Sequence, residues 1–240
     1  MPRAWSYIGL GALAVVLVCV YLFGRSLWYP VYLKIVGKRT VAEVVADVGD
    51  AARGRMLASF ATAGVAYPPA EVTLLAVKES AELEVWAGSS TGPKRVLTYD
   101  IQALSGVAGP KLREGDRQVP EGVYNIEGLN PNSSFHLSMK LNYPNSFDLK
   151  HANAEGRAEP GTNIFIHGKA TSVGCLAMGD PAIEELFVLA HDVGKDNIKV
   201  VIAPTDPRAA SLSAPGQPAW VAELYRSIEL EFLQYVPPGT

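Results

Sequence analysis

A histidine and a cysteine stand eight residues apart in the run Ile166-His167-Gly168-Lys169-Ala170-Thr171-Ser172-Val173-Gly174-Cys175. Cysteine attacks as the thiolate, so a reactive one needs a base or an imidazolium within hydrogen-bond reach. A strand that ends on His167 and a loop that returns with Cys175 would supply that pairing. Gly174 allows positive φ and a close backbone approach, and the amides of Gly174 and Cys175 are candidates to face a developing oxyanion. No acid adjoins the histidine, which leaves the Gly168 carbonyl as the local group to orient the ring. The bland alternative is a buried small thiol beside a strand-end histidine. Metal ligation by His136, His151, His167 and Cys175 is the other alternative, but their spacing fits no standard zinc pattern, so no metal is expected.

The count of cysteines favours reactivity. The chain has 2, and Cys19 lies in an apolar run where it would pack against lipid or a partner helix. Cys175 therefore has no partner for an intramolecular disulfide in the remainder of the chain. An unpaired thiol outside the cytoplasm is open to oxidation, which makes an inert role costly. The formal net charge of -3, with no basic run and no interleaving of aromatic and basic residues, excludes a nucleic-acid partner. No Gly-rich phosphate loop or dinucleotide fingerprint is present, so no organic cofactor is expected.

Several elements must position the pair. Val41, Val44, Val45, Val48, Leu57 and Phe60 share a helical spacing, weakened by Gly49 and Gly54 and ended by Tyr67-Pro68-Pro69. From Glu71 to about Leu149 the pattern becomes short strands and turns: Val72–Val77, Leu83–Ala87, Arg95–Ile101, Val123–Ile126 and Phe135–Met139. Gly106 to Gly122 is rich in Gly, Pro and charge and reads as a long ordered loop. Asn163–His167 is a strand that delivers the histidine. Asp180 reads as an N-cap with Pro181 at the first helical position, Ile183, Leu186, Phe187 and Ala190 on one face and Gly194 at the C-terminal end. Ile198–Ala203 is a last strand, followed by a helix over Ala219–Gln234. The class is mostly β with helical additions, α+β.

The N-terminus departs from this pattern. Trp5 to Phe23 carries no charge and just reaches the roughly 20 residues that cross a bilayer as a helix. Tyr7, Tyr21, Trp28 and Tyr29 fit interfacial belts. The expected organisation is an anchor or signal segment at 1–25, a linker (Ser26 to Lys38) and amphipathic helix at 26–68, a catalytic domain at 69–210 and a helical extension at 211–240. Arg25, Lys34, Lys38 and Arg39 after the span would by charge count keep the domain in the cytoplasm. The chemistry below places it outside.

His167-Gly168 and Ser172-Val173-Gly174-Cys175 resemble the His-Gly…Ser-x-Gly-Cys signature of the L,D-transpeptidase catalytic-domain family. Gly109–Ile126 and Phe135–Asp148 resemble further blocks of its murein-transpeptidase subgroup, in the right order. The resemblance implies a β-sandwich or barrel catalytic domain in the periplasm or cell envelope that acts on peptidoglycan stem peptides. Carried onto this chain, it makes Cys175 the nucleophile, His167 the base, the Gly168 carbonyl the orienting group and Gly174 part of the oxyanion site. A thioester would form with the stem tetrapeptide, release terminal D-alanine and pass to an amine of a second stem or a wall-linked protein. The alternative is a hydrolase that hands the same thioester to water. Ser172, His136, Tyr143, Asn145 and Lys111 are candidate substrate contacts, with Arg113 and Arg117 as further cations for stem carboxylates. Many members have histidine where this chain has Val173, which bears on acceptor choice.

Overall fold

The computed structural model describes residues 13, 15–21 and 24–236. Much of the expected membrane span at 5–23 lies outside the described residues, and among the described residues no helix is long and apolar enough to cross a membrane.

The linker expected at Ser26–Lys38 is instead mostly helix α1, Arg25–Val36, with Pro30 inside it. Its aromatic side chains hold one another at helical spacing: Tyr29 and Tyr32 stack at 5.9 Å, Trp28 meets Tyr32 at 6.2 Å, and the Arg25 guanidinium lies 4.4 Å from the Tyr29 ring.

Helix α2, Val41–Ala63, begins with a capping box in which Thr40 and Glu43 satisfy each other's backbone N–H, and it ends where Gly64 turns left-handed. Gly49 and Gly54 do not break it. Gly49 is buried, and a Cβ there would stand 2.8 Å from the Arg53 guanidinium, so the glycine leaves room for that side chain.

Eight strands follow: β1 Val72–Val77, β2 Glu82–Ser89, β3 Gly92–Asp100, β4 Gly122–Ser133, β5 His136–Leu141, β6 Phe165–His167, β7 Leu176–Ala177 and β8 Ile198–Ala203. They form one mixed sheet in the order β3-β2-β1-β8-β4-β5-β6-β7. Strand β4 serves both halves: Gly122–Asn125 pair with β8, and beyond Ile126, where the register shifts, the strand pairs with β5. A bulge at such a point bends the strand and lets one ribbon line two faces of a core. The segment after β3 then meets the far edge, since Ala103 bridges Ala177 and Gln102 N donates to the Ala177 carbonyl at 2.8 Å. The two ends of the strand order are thereby joined.

Helix α3, Ser146–Ala154, falls where the sequence pattern read only strands and turns. Asn145 caps it, accepting from Phe147 N and Asp148 N while Asp148 answers to Asn145 N. That Asn-x-x-Asp signal was legible but followed a strong strand pattern. Helix α4, Asp180–Val193, has Gly179 as its N-cap in place of the expected Asp180. The Asp180 carboxylate is occupied elsewhere, accepting from Lys169 N at 2.9 Å. Helix α5, Val221–Phe232, closes the described chain.

Two apolar cores result. The larger joins α2 and α4 to the inner face of the sheet through Met56, Phe60, Leu74, Val85, Phe187 and Val200. The smaller lies on the other face of β1, β2 and β8, where Leu75, Trp86 and Val201 meet Leu224, Ile228 and Phe232 of α5. Strand β1 is thus buried along its whole length, which explains its continuous apolar reading.

Helices α2 and α4 are further joined by charge. Arg53 forks onto Asp192 at 2.7 and 2.8 Å, Arg55 reaches Glu185 at 2.5 Å and Glu184 at 3.1 Å, and Tyr67 and Tyr99 donate to Asp192 and Glu185.

Candidate active site

Strands β6 and β7 are parallel, with Ile166 opposite Leu176 and His167 opposite Ala177. A parallel crossover ordinarily takes a dozen or more residues, yet this one is made by Gly168–Cys175 alone. The chain manages it with left-handed backbone at Lys169 (φ 62°) and Gly174 (φ 89°). Because side chains alternate along a strand, the register sets Cys175 and His167 on the same face, one diagonal step apart. Both line one cleft of about 440 Å³. Phe135, Phe165, Val173, Ser138, Asn130 and Asn132 are among its walls, and no charged side chain lines it.

Burial and one backbone bond prepare the imidazole. His167 is 3 % exposed, and its Nδ1 lies 2.6 Å from the Gly168 carbonyl oxygen. A carbonyl can only accept, so Nδ1 carries the proton and Nε2 keeps a lone pair. Phe135 covers the ring at 4.6 Å between centroids. Only glycine fits at 168: a Cβ would come within 2.6 Å of the Phe135 carbonyl and 2.7 Å of Asp180 Oδ1. The His-Gly pair is therefore a packing requirement as well as a chemical one.

Burial lowers the pKa of His167, opposed by the Gly168 bond. Burial raises that of Cys175, opposed by backbone contact with Phe165 and the charge of Lys111. Desolvation disfavours whichever form is charged, so the resting pair is a neutral thiol and a neutral imidazole. The half-buried Cys175 has its Sγ 3.9 Å from the Asn163 carbonyl oxygen.

The two amides proposed for an oxyanion are engaged by hydroxyls. Cys175 N donates to Ser172 Oγ at 3.0 Å, and that hydroxyl donates on to the Cys175 carbonyl at 2.7 Å. Gly174 N donates to Ser105 Oγ at 2.7 Å. Ser172 lines the cleft and Ser105 does not.

The remaining candidates have other partners. His136 turns to Glu184 (Nε2 to Oε1, 2.9 Å), and the buried Tyr143 donates to the Pro160 carbonyl at 2.8 Å. Asn145 caps α3 and donates to the Val123 carbonyl at 3.0 Å. Lys111 is 7 % exposed and paired with Asp116 at 2.5 Å, so it reaches Cys175 through its field and not as a free cation on the surface. Tyr143 and Asn145 border a separate cavity, as does Arg113 with Arg157 in another. Glu114 and Asp116 serve the turn: Asp116 accepts from the N–H of Leu112, Arg113 and Gln118. His151 is packed between Phe147 and Trp220, well separated in role from the cleft.

The cleft walls Phe135, Phe165, Asn130 and Asn132 were not anticipated as site residues. Phe135 was legible, as the first residue of a strand already expected, although the observed β5 begins one residue later. The asparagines come from the far end of β4, and no local pattern marks them.

Residues 71–202 match the family model of the L,D-transpeptidase catalytic domain. The chain belongs to that family. A curated relative from Escherichia coli, named "Putative L,D-transpeptidase YafK", is 30% identical over 132 residues, covering 53% of this chain and 51% of its own. The chain thus spans about half the length of the curated relatives it matches. Among solved structures, the helical cell shape determining protein Pgp2 from Campylobacter jejuni has 21% identity and a TM-score of 0.46, over 56% of this chain and 48% of its own. Bd1075 from Bdellovibrio bacteriovorus has 22% identity and a TM-score of 0.42, with the same coverages of 56% and 48%. The α+β fold is that of an L,D-transpeptidase catalytic domain, as expected from sequence. Within this L,D-transpeptidase domain Val173 is 70% exposed and lines the cleft.

Proposed function

We propose that this domain forms a thioester between Cys175 and a peptidoglycan stem tetrapeptide and passes the acyl group to an amine. One observation supports the reading: His167, its Nδ1 bonded to the Gly168 carbonyl and its Nε2 thereby left unprotonated, lines the same cleft as Cys175. Nε2 takes the thiol proton as Sγ attacks the carbonyl carbon of the bond before the terminal D-alanine. The tetrahedral intermediate collapses, the C–N bond breaks, and the imidazolium returns its proton to the departing D-alanine amine. An acceptor amine on a second stem or a wall-linked protein then attacks the thioester, giving its proton to His167 and releasing the thiol. The reaction needs neither metal nor organic cofactor.

Peptidoglycan as substrate places the working domain in the periplasm. The charge-free run 5–23 is the segment proposed to hold it at the inner membrane, and resistance of the full chain to carbonate extraction tests that attachment.

Intact-mass spectrometry of the protein with purified tetrapeptide muropeptides is the decisive experiment. A tetrapeptide adduct less one D-alanine, absent in Cys175→Ala and His167→Ala, is expected. Persistence of the adduct in either variant overturns the assignment. Cross-linked dimers upon addition of acceptor identify the transferase; shortened tripeptides alone identify the hydrolase.

A further inference from the structure

Gly174 sits immediately before Cys175 with φ at 89°, a backbone conformation that glycine adopts without strain. The two peptide planes that flank it must be fixed if the Cys175 amide is to face a reacting carbonyl. The plane after Gly174 is held locally: Cys175 N donates to Ser172 Oγ within the turn. The plane before it is held by a residue 69 positions away, since Gly174 N donates to Ser105 Oγ at 2.7 Å. Ser105 is itself fixed, its hydroxyl donating to the Arg117 carbonyl at 2.7 Å and its own carbonyl accepting from Val119 N at 3.2 Å. The Gln118 carbonyl lies 3.5 Å from where a Cβ on Gly174 would stand. The post-β3 segment and the Gly106–Gly122 loop therefore brace the cysteine turn from behind, with Ser105 as the single side chain that joins them to it.

We infer that Ser105 is a positioning residue for the acyl-transfer chemistry: its hydroxyl commits the Gly174 N–H away from the cleft, so that of the two amides only the Cys175 N–H, whose partner Ser172 Oγ lines the cleft, is placed to turn to the oxyanion. This rests on the cysteine-thioester reading given above. It also corrects the sequence-based pairing of both amides as donors, because one of the two points at Ser105, outside the cleft lining.

The test compares Ser105→Ala and Ser105→Thr with the parent chain by D-alanine release, iodoacetamide alkylation of Cys175, and hydrogen exchange at the Gly174 amide. Ser105→Ala is expected to lower kcat about tenfold with KM within about twofold, because ground-state binding is untouched. Alkylation, which develops no oxyanion, should stay within about twofold, and Gly174 exchange should rise about tenfold. Ser105→Thr, which keeps the hydroxyl, should restore kcat to within about threefold. Unchanged kcat in Ser105→Ala overturns the inference, as does a parallel fall in kcat, alkylation and melting temperature, which marks general loosening. If the parent chain itself releases no D-alanine, the functional reading fails separately. Gly174 exchange then decides the positional claim, and unchanged exchange overturns it.

Discussion

Two seams of this molecule are held by opposite chemistry. Between α2 and α4 the contacts are charged: Arg53 on Asp192, Arg55 on Glu184 and Glu185, with two tyrosine hydroxyls completing the carboxylates. Around Cys175 the contacts are neutral: serine hydroxyls on amides, a carbonyl on the imidazole, an aromatic ring above it. The difference follows from what each seam must do. A fixed charge close to the thiol and imidazole would commit one of them to its ionised form, whereas neutral dipoles fix geometry and leave the proton free to move. The nearest buried cation, Lys111, is held by Asp116. The α2–α4 seam has no proton to transfer, so ion pairs there supply rigidity alone.

The sharpest way to break this contrast is to remove the reacting groups. Cys175→Ala and His167→Ala should each abolish acylation, with a melting temperature within a few degrees of the parent, as read by intact mass and calorimetry. A collapse of melting temperature in either would show that the cleft also serves stability. Gly168→Ala should come next. Its Cβ has no room against the Phe135 carbonyl and Asp180, so a stability loss on the order of 1–3 kcal/mol is expected in urea titration, together with impaired acylation as His167 is displaced.

Asp192→Ala should cost about 2 kcal/mol because it strands Arg53 and Tyr67, while kcat stays within about twofold. Loss of kcat comparable to that in Gly168→Ala would deny the division of labour. The pH responses separate the seams further. Burial alone would raise Asp192, but bonds from Arg53, His191 and Tyr67 outweigh it and hold its pKa at about 2. A carboxyl depressed in the folded state contributes stability above its unfolded pKa of about 4 and loses it as pH falls toward 2. The parent chain should therefore show an acid transition in that window that is smaller in Asp192→Ala. In the cleft, burial raises the Cys175 thiol, so alkylation should keep increasing above the pH range of an ordinary thiol. A rate plateau well below neutrality would mean a resting thiolate–imidazolium pair.

Much of this was legible in the chain. Val72–Val77 and Ile198–Ala203 coincide with strands β1 and β8, because fully buried strands carry uninterrupted β-branched and aliphatic runs. The capping residues of α2 and the Gly194 stop of α4 were equally local. Helix α1 was expected as a linker, and helix α3 was hidden by the strand pattern before it. The chemistry of His167, Gly168 and Cys175 was readable since all three lie within one short connection.

What the sequence by itself determined was the family to which the chain belongs and the placing of His167 and Cys175 within one short connection. Local signals suffice there, because the two residues and the glycines between them are covalently close. Tertiary structure alone decided which amides are available and which polar residues face the cleft. Ser105 reaches Gly174 across 69 residues, and His136 is turned to the Glu184 carboxylate of α4. Such pairings depend on where β3, β4 and α4 bring the chain, and no periodicity along one segment encodes a partner on another.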